Sequence, residues 1–196
     1  THVAGIIGAK ASSGGGVSGV APGVSLQSYR VFGKGAPGAS NYSIAKALTR
    51  AVEDGCDIIN MSLGGGPVDE ALKDAIDQAC ARGAAVFAAT GNDGRSPVSF
   101  PASHWAAIAV AAMGRKDTFP PGSAEEGDML APFGTQAEDF VAAFSNIGSD
   151  VDLIGPGVGV VSTYPASDGV ARYAAMSGTS MACPAVAGFA ARLLSA

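Results

Sequence analysis

Two uninterrupted apolar stretches, residues 84–89 and 106–113, constrain the fold of this sequence more than any other feature. A strand with one face in water alternates apolar and polar residues, whereas an unbroken apolar run is typical of a strand covered on both faces. Three further segments, residues 26–32, 56–63 and 152–154, are predicted as short strands. Helical segments alternate with these strands, and this order is typical of a parallel α/β sheet.

The helical segments are recognised by periodicity and by their ends. One is predicted to begin with Ser43 as its cap and to end at Gly55, and another covers residues 68–82, with Gly83 beyond it. Their apolar faces consist of Ile44, Leu48, Ala51 and Val52 in the first and of Val68, Leu72, Ala75, Ile76 and Ala79 in the second. The run 185–194 predicts a third helix. We therefore expect an α/β fold of three layers, with a mostly parallel central sheet and helices on both faces.

The length of 196 residues suits one domain over residues 1–196. Residues 115–142 depart from the alternating pattern because they are rich in proline, glycine and acidic side chains. We interpret them as a surface insertion. The first interpretation of this insertion is a solvated acidic loop, and the alternative is a role in substrate choice.

Composition excludes several classes of partner and site. The net charge is −5, without a cluster of basic residues, which argues against nucleic acid or an anionic membrane as partner. No apolar run approaches the ~20 residues that span a membrane. The three cysteines are far apart, so a zinc site is not expected. Buried free thiols are the favoured interpretation, with a Cys56–Cys80 bridge as the alternative.

A serine between a tight turn and a helix is the first candidate for chemistry. The segment Gly178-Thr179-Ser180-Met181-Ala182-Cys183-Pro184 leads directly into the helical run 185–194. The positive end of a helix dipole lies beneath a serine in such a position and favours an attack that creates an oxyanion. A serine that merely caps a buried helix is the alternative.

Three further motifs, taken together with the Ser180 segment, indicate a resemblance to a known family. They are Thr1-His2-Val3-Ala4-Gly5, Ile58-Ile59-Asn60-Met61-Ser62-Leu63-Gly64-Gly65 and Ala89-Thr90-Gly91-Asn92-Asp93-Gly94. Together with the Ser180 motif, and in this order along the chain, they resemble the motifs of the subtilisin-like serine proteases, the subtilases. The resemblance covers nearly the whole sequence and implies the subtilisin-like fold, truncated at both ends.

The resemblance implies a role for each matched residue. Ser180 would be the nucleophile and His2 the general base. Asn92 and the Ser180 N–H would donate to the oxyanion of the tetrahedral intermediate. Two segments would form the walls of the specificity pocket, and the first would also pair with an extended substrate. These are Ser62, Leu63 and Gly64 in one wall and Ala89, Thr90 and Gly91 in the other.

The sequence also departs from the family pattern. The family has an aspartate before the histidine, in a strand inside the sheet, but here only Thr1 precedes His2. We therefore interpret the chain as part of a longer subtilase and expect a gap in its sheet. His104 is interpreted as a structural or surface residue. Residues 12–16, where many subtilases bind structural calcium, lack carboxylate and amide side chains, so no cofactor is expected.

The resulting hypothesis is a serine endopeptidase that acts on polypeptide substrates through an acyl-enzyme. The alternative from a different class is a catalytically silent module that keeps the peptide groove. An esterase or amidase with the same acyl chemistry is a third, weaker option. An extracellular parent protein is expected because most subtilases are secreted. The sequence does not fix an oligomeric state.

Overall fold

The computed structural model describes residues 1–133, 138–166 and 172–195. The regular elements in this part of the chain are α1 (His2–Gly8), α2 (Asn41–Glu53), β1 (Ile58–Met61), α3 (Glu70–Ala81), β2 (Ala85–Ala89), β3 (Ala107–Arg115), a short 3-10 helix (Ala124–Asp128), β4 (Asp139–Val141), β5 (Leu153–Pro156), β6 (Val160–Tyr164), β7 (Arg172–Met176) and α4 (Thr179–Leu194).

A mostly parallel sheet lies at the centre, as the apolar runs predict. β1, β2, β3 and β5 are parallel neighbours in that order, and the short β4 pairs antiparallel with the end of β3. The register places Met61 beside Ala88 and Ala89 beside Val110. The carboxyl ends of β1 and β2 therefore meet at one edge of the sheet. β6 and β7 form a separate antiparallel pair.

Both faces of the sheet are covered, which explains the unbroken apolar runs. Val86 and Ala88 of β2 belong to the core cluster that also contains the buried faces of α2 and α3. Phe87 and Ala89, the alternate residues of the same strand, pack in a second cluster with α4. Successive side chains of a strand point to opposite faces, so each run fills two cores at once. The predicted three-layer α/β architecture is thereby confirmed.

Three sequence predictions about local structure are wrong. Val68 is not part of the second helix, because α3 begins at Glu70 after the Asp69 cap and Val68 is exposed. The cap of α2 is Ser40 and not Ser43, because the Ser40 hydroxyl accepts a hydrogen bond from the Ser43 N–H at 3.2 Å. Residues 26–32 form no strand. They make no backbone–backbone hydrogen bond to any described residue, and β1, at the edge of the sheet, pairs only with β2. A strand needs a partner for its ladder, and this segment has none in the described chain.

The cysteines are free thiols, and the Cys56–Cys80 bridge does not form. Of the three cysteines, only Cys183 is buried as predicted, and it lies in α4 within the second core cluster. Desolvation raises the pKa of the Cys183 thiol far above its usual range, so this group stays protonated. Cys80, in contrast, is exposed on α3.

Arg95 anchors the middle of the long excursion between β3 and β4. Its guanidinium donates hydrogen bonds to the carbonyl oxygens of Leu130 at 2.6 Å and Ala131 at 2.8 Å. It also lies over the Phe133 ring, 4.8 Å from the ring centre. The Arg95 side chain therefore holds the part of the loop at residues 130–133, where the residues are exposed. Residues 134–137, the remainder of the predicted insertion before β4, lie outside the described residues.

Replacing this anchor is predicted to release the loop. In Arg95→Ala, two charge-assisted hydrogen bonds and a ring contact are lost, so residues 129–133 open more often. We expect chymotrypsin to cut after Met129, Leu130 or Phe133 at least about fivefold faster, by mass-mapped limited proteolysis. Arg82→Ala, at an exposed arginine on the end of α3, is the matched control. Equal cleavage rates in the Arg95 variant and the unmodified chain would contradict the anchoring role.

Candidate active site

Ser180 is the second residue of α4 and is half-buried at the start of that helix. The Ser180 Oγ donates to the Ser62 carbonyl oxygen at 3.3 Å, and the Ser62 Oγ donates to the Ser180 carbonyl oxygen at 2.9 Å. These reciprocal bonds join the start of α4 to the segment that follows β1. The N–H groups of a first helical turn have no partner within their own helix, so the Ser180 N–H is available to a ligand.

Asn92 lies beside this helix end, in the exposed turn after β2. Its Oδ1 accepts hydrogen bonds from the Thr179 N–H and the Thr179 hydroxyl, both at 2.9 Å. A backbone N–H can only donate, so the atom facing it is the amide oxygen, and the Nδ2 donor is left for another partner. The structure therefore brings Asn92 together with Thr179 and Ser180.

The two predicted pocket walls are also neighbours. A Cβ added at Gly64 would lie 3.6 Å from the Ala89 carbonyl oxygen and 3.3 Å from that of Phe100, so the backbones of the two walls approach closely here. Gly65 N–H donates to the same Phe100 oxygen at 3.0 Å.

The side chains of the second wall are not free to line a groove. Ala89 and Thr90 are buried, and the Thr90 hydroxyl donates to the Asn146 carbonyl oxygen at 3.3 Å. Any contribution of these two residues to ligand binding is therefore made by their backbone. Gly91 is half-exposed, and its N–H faces the Thr179 hydroxyl at 3.3 Å.

Sequence reasoning missed Asn146, a buried polar residue that contacts this turn on both sides of Asn92. It lies in the segment Phe144-Ser145-Asn146-Ile147-Gly148, where a polar pair interrupts apolar residues. That interruption is the only signal in the sequence. It does not separate a surface turn from a buried hydrogen-bonding centre.

His2 opens α1 and is buried, with 7% of its surface exposed. Its Nε2 lies 2.9 Å from the Ala174 carbonyl oxygen of β7, and its Nδ1 is buried without a partner among the described residues. A carbonyl oxygen only accepts, so Nε2 carries the proton in this arrangement. Within the described chain His2 and Ser180 do not share a hydrogen bond, and the nucleophile–base contact is therefore not assembled.

His104, the second histidine, has a structural contact. Its Nε2 lies 2.7 Å from the Asp77 Oδ1 and ties the loop before β3 to α3. Among the described residues, no three His, Cys, Asp or Glu side chains converge as a metal site requires.

Known proteins match both the sequence and the fold. The model of the subtilase family (Peptidase S8) matches residues 1–196. Subtilisin DY of Bacillus licheniformis is 38% identical over the whole chain, which covers 62% of that protein. Thermitase of Thermoactinomyces vulgaris is 36% identical over the whole chain, which covers 60% of it.

Solved protease structures also match the fold of this chain. The S41 psychrophilic protease matches with a TM-score of 0.78 at 34% identity, over 98% of this chain and 62% of that one. The self-cleaved protease domain of PatA also has a TM-score of 0.78, at 29% identity, over 100% of this chain and 66% of that one. The chain thus spans about three fifths of the length of the curated relatives described above. These matches confirm the resemblance seen in the four sequence motifs: the chain belongs to the subtilase family.

Proposed function

We propose that this chain is the core of a serine endopeptidase that hydrolyses peptide bonds through an acyl-enzyme. Ser180 is the nucleophile, His2 the base, and Asn92 Nδ2 with the Ser180 N–H the oxyanion donors. The observation that carries the proposal is the pair of 2.9 Å hydrogen bonds from Thr179 to the Asn92 Oδ1. They fix the Asn92 amide beside the residue that carries the nucleophile.

The proposed reaction has two stages, formation of an acyl-enzyme and its hydrolysis. Ser180 Oγ attacks the substrate carbonyl, and the oxygen becomes an oxyanion that accepts from the two donors. In subtilisin, the loss of one such donor costs roughly 10²–10³-fold in turnover. His2 takes the Ser180 proton during the attack and passes it to the leaving nitrogen, so collapse of the intermediate releases the amine and leaves an acyl-Ser180 ester, which water then hydrolyses. The 3.3 Å bond from Ser180 Oγ to Ser62 is long for a hydroxyl donor, and substrate replaces it at little cost.

The base needs a different proton arrangement from the one described. A histidine that accepts the serine proton must have a free Nε2 lone pair, with its proton held on Nδ1 by a carboxylate. The buried, unpartnered Nδ1 of His2 is where such a carboxylate would bind. In the family this group is an aspartate that precedes the histidine, and no described residue bonds to the His2 Nδ1 in its place.

A catalytically silent module with a peptide groove is the second candidate. The observation that favours it is the engagement of both Ser180 Oγ and His2 Nε2 with carbonyl oxygens rather than with each other. Both candidates have polypeptides as partners. We also propose an extracellular parent, on the strength of the family. The described helices include none that is long and apolar enough to cross a membrane.

Covalent labelling separates the two candidates. We predict that a fluorophosphonate probe labels the purified chain slowly and at Ser180, found by peptide mass mapping. The nucleophile and its oxyanion donors are present, but no described carboxylate is bonded to the His2 Nδ1. Ser180→Ala should abolish the label, and Asn92→Ala should slow it by about 10²-fold, the effect of one lost donor. Ser195→Ala, at an exposed serine at the end of α4, is the matched control. A folded chain that binds peptide and takes up no probe would favour the silent module.

The protonation of His2 is a second test. We predict that nitrogen-15 NMR near neutral pH finds His2 as the Nε2–H tautomer, because the Ala174 carbonyl accepts that proton and no described residue holds one on Nδ1. His104→Gln removes the other histidine and assigns the signal. A Nδ1–H tautomer would mean that an acceptor occupies the buried side of the ring, contrary to the structure.

A further inference from the structure

Asn146 is almost completely buried, at 1% exposure, in the segment that leads from β4 towards β5. Burying a side-chain amide costs free energy unless hydrogen bonds replace those to water. All the hydrogen bonds of the Asn146 side chain go to one short turn, residues 90–93. Its Nδ2 donates to the Thr90 carbonyl oxygen at 3.1 Å and to the Asp93 Oδ2 at 3.0 Å, and its Oδ1 accepts from the Asp93 N–H at 2.8 Å.

The backbone of Asn146 bonds to the same turn. Its N–H donates to the Gly91 carbonyl oxygen at 3.0 Å, and its carbonyl oxygen accepts from the Thr90 hydroxyl at 3.3 Å. Thr90 and Gly91 precede Asn92, and Asp93 follows it. Asn146 thus holds the chain on both sides of Asn92.

The turn is fitted to this buried amide. A Cβ at Gly91 would overlap the Asn146 Nδ2 and lie 2.8 Å from the Ser99 Oγ, so glycine is required there. Gly91 also has φ +109°, a conformation that favours glycine.

The neighbouring Ser145 ties Asn146 to the central sheet. The Ser145 Oγ accepts a hydrogen bond from the Ala112 N–H of β3 at 3.0 Å. The position of Asn92 is therefore fixed against the sheet through Asn146 and against α4 through Thr179.

We propose that Asn146 is a positioning residue for the oxyanion site: it holds the turn so that Asn92 Nδ2 and the Ser180 N–H point to one place. This inference rests on the proposed function and adds to it a residue that no matched motif includes. Oxyanion donors act because they are preorganised, so small shifts of the turn reduce their effect. Asn146 acts through Asn92 and is not a catalytic residue.

The isosteric variant Asn146→Asp tests the proposal. A carboxylate can still accept from the Asp93 N–H, but it cannot donate to the Thr90 carbonyl, and it faces the Asp93 carboxylate. We expect the rate of Ser180 labelling by the fluorophosphonate to fall at least about tenfold, and at most by the roughly 10²–10³-fold of a lost donor. Adding Asp93→Asn restores a donor–acceptor pair between the two side chains and should recover most of the rate. Asn41→Asp, outside the turn, is the matched control.

A double-mutant cycle separates positioning from general stability. On the Asn92→Ala background, Asn146→Asp should change the labelling rate less than about twofold, because the donor it positions is already gone. An equal fall on both backgrounds would overturn the proposal in favour of a purely structural role. Equal labelling of Asn92→Ala and the unmodified chain, or no labelling of the folded unmodified chain, would overturn the proposed function and this inference with it.

Hydrogen exchange gives a readout that needs no activity. If Asn146→Asp loosens the turn, amide exchange should accelerate at residues 91–95 and stay unchanged within β2. Uniform acceleration would indicate global destabilisation and would count against the proposal, as would unchanged exchange in the turn. Should Asn146→Asp fail to fold, Asn146→Ser, smaller and uncharged, is measured in the same cycle and by the same exchange.

Discussion

The two hydrogen bonds from Thr179 to the Asn92 amide oxygen join the start of α4 to the turn at the carboxyl end of β2. The candidate site depends on this junction, because it lies between two elements that the chain separates by almost ninety residues. The parallel sheet makes the junction possible. The sheet brings the carboxyl ends of β1 and β2 to one edge. α4 packs on the face of the sheet that carries Phe87 and Ala89. Ser62 adds a second link through its reciprocal bonds with Ser180.

Much of the fold was predictable because burial leaves a clear pattern in the sequence. The apolar runs at β2 and β3 indicate strands covered on both faces, and the spacing of Leu72, Ile76 and Ala79 indicates the buried face of α3. Predictions that depended on one local contact were less secure. Ser40 and Ser43 are equally good caps by residue type, and only the geometry of the helix start decides between them. A strand also needs a neighbour, which residues 26–32 lack in the described chain.

The same distinction holds for the residues of the candidate site. His2, Asn92 and Ser180 were found because each belongs to a motif with a recognisable pattern, although their roles stay predictions. Asn146 was missed because its importance comes from long-range hydrogen bonds and burial, which a single sequence does not record. Nor does the sequence indicate that Thr90 turns its side chain inward, or that the Ala174 carbonyl engages the His2 ring.

The most direct test of the central claim is a crystal structure of the chain after phosphonylation by the fluorophosphonate. The adduct places a phosphoryl oxygen where the oxyanion of the tetrahedral intermediate would be. We predict a bond from Ser180 Oγ to phosphorus and a phosphoryl oxygen about 2.7–3.1 Å from both the Asn92 Nδ2 and the Ser180 N. An adduct on Ser180 whose oxygen points to solvent, with Asn92 turned away from it, would contradict the role of Asn92 and the Ser180 N–H as oxyanion donors.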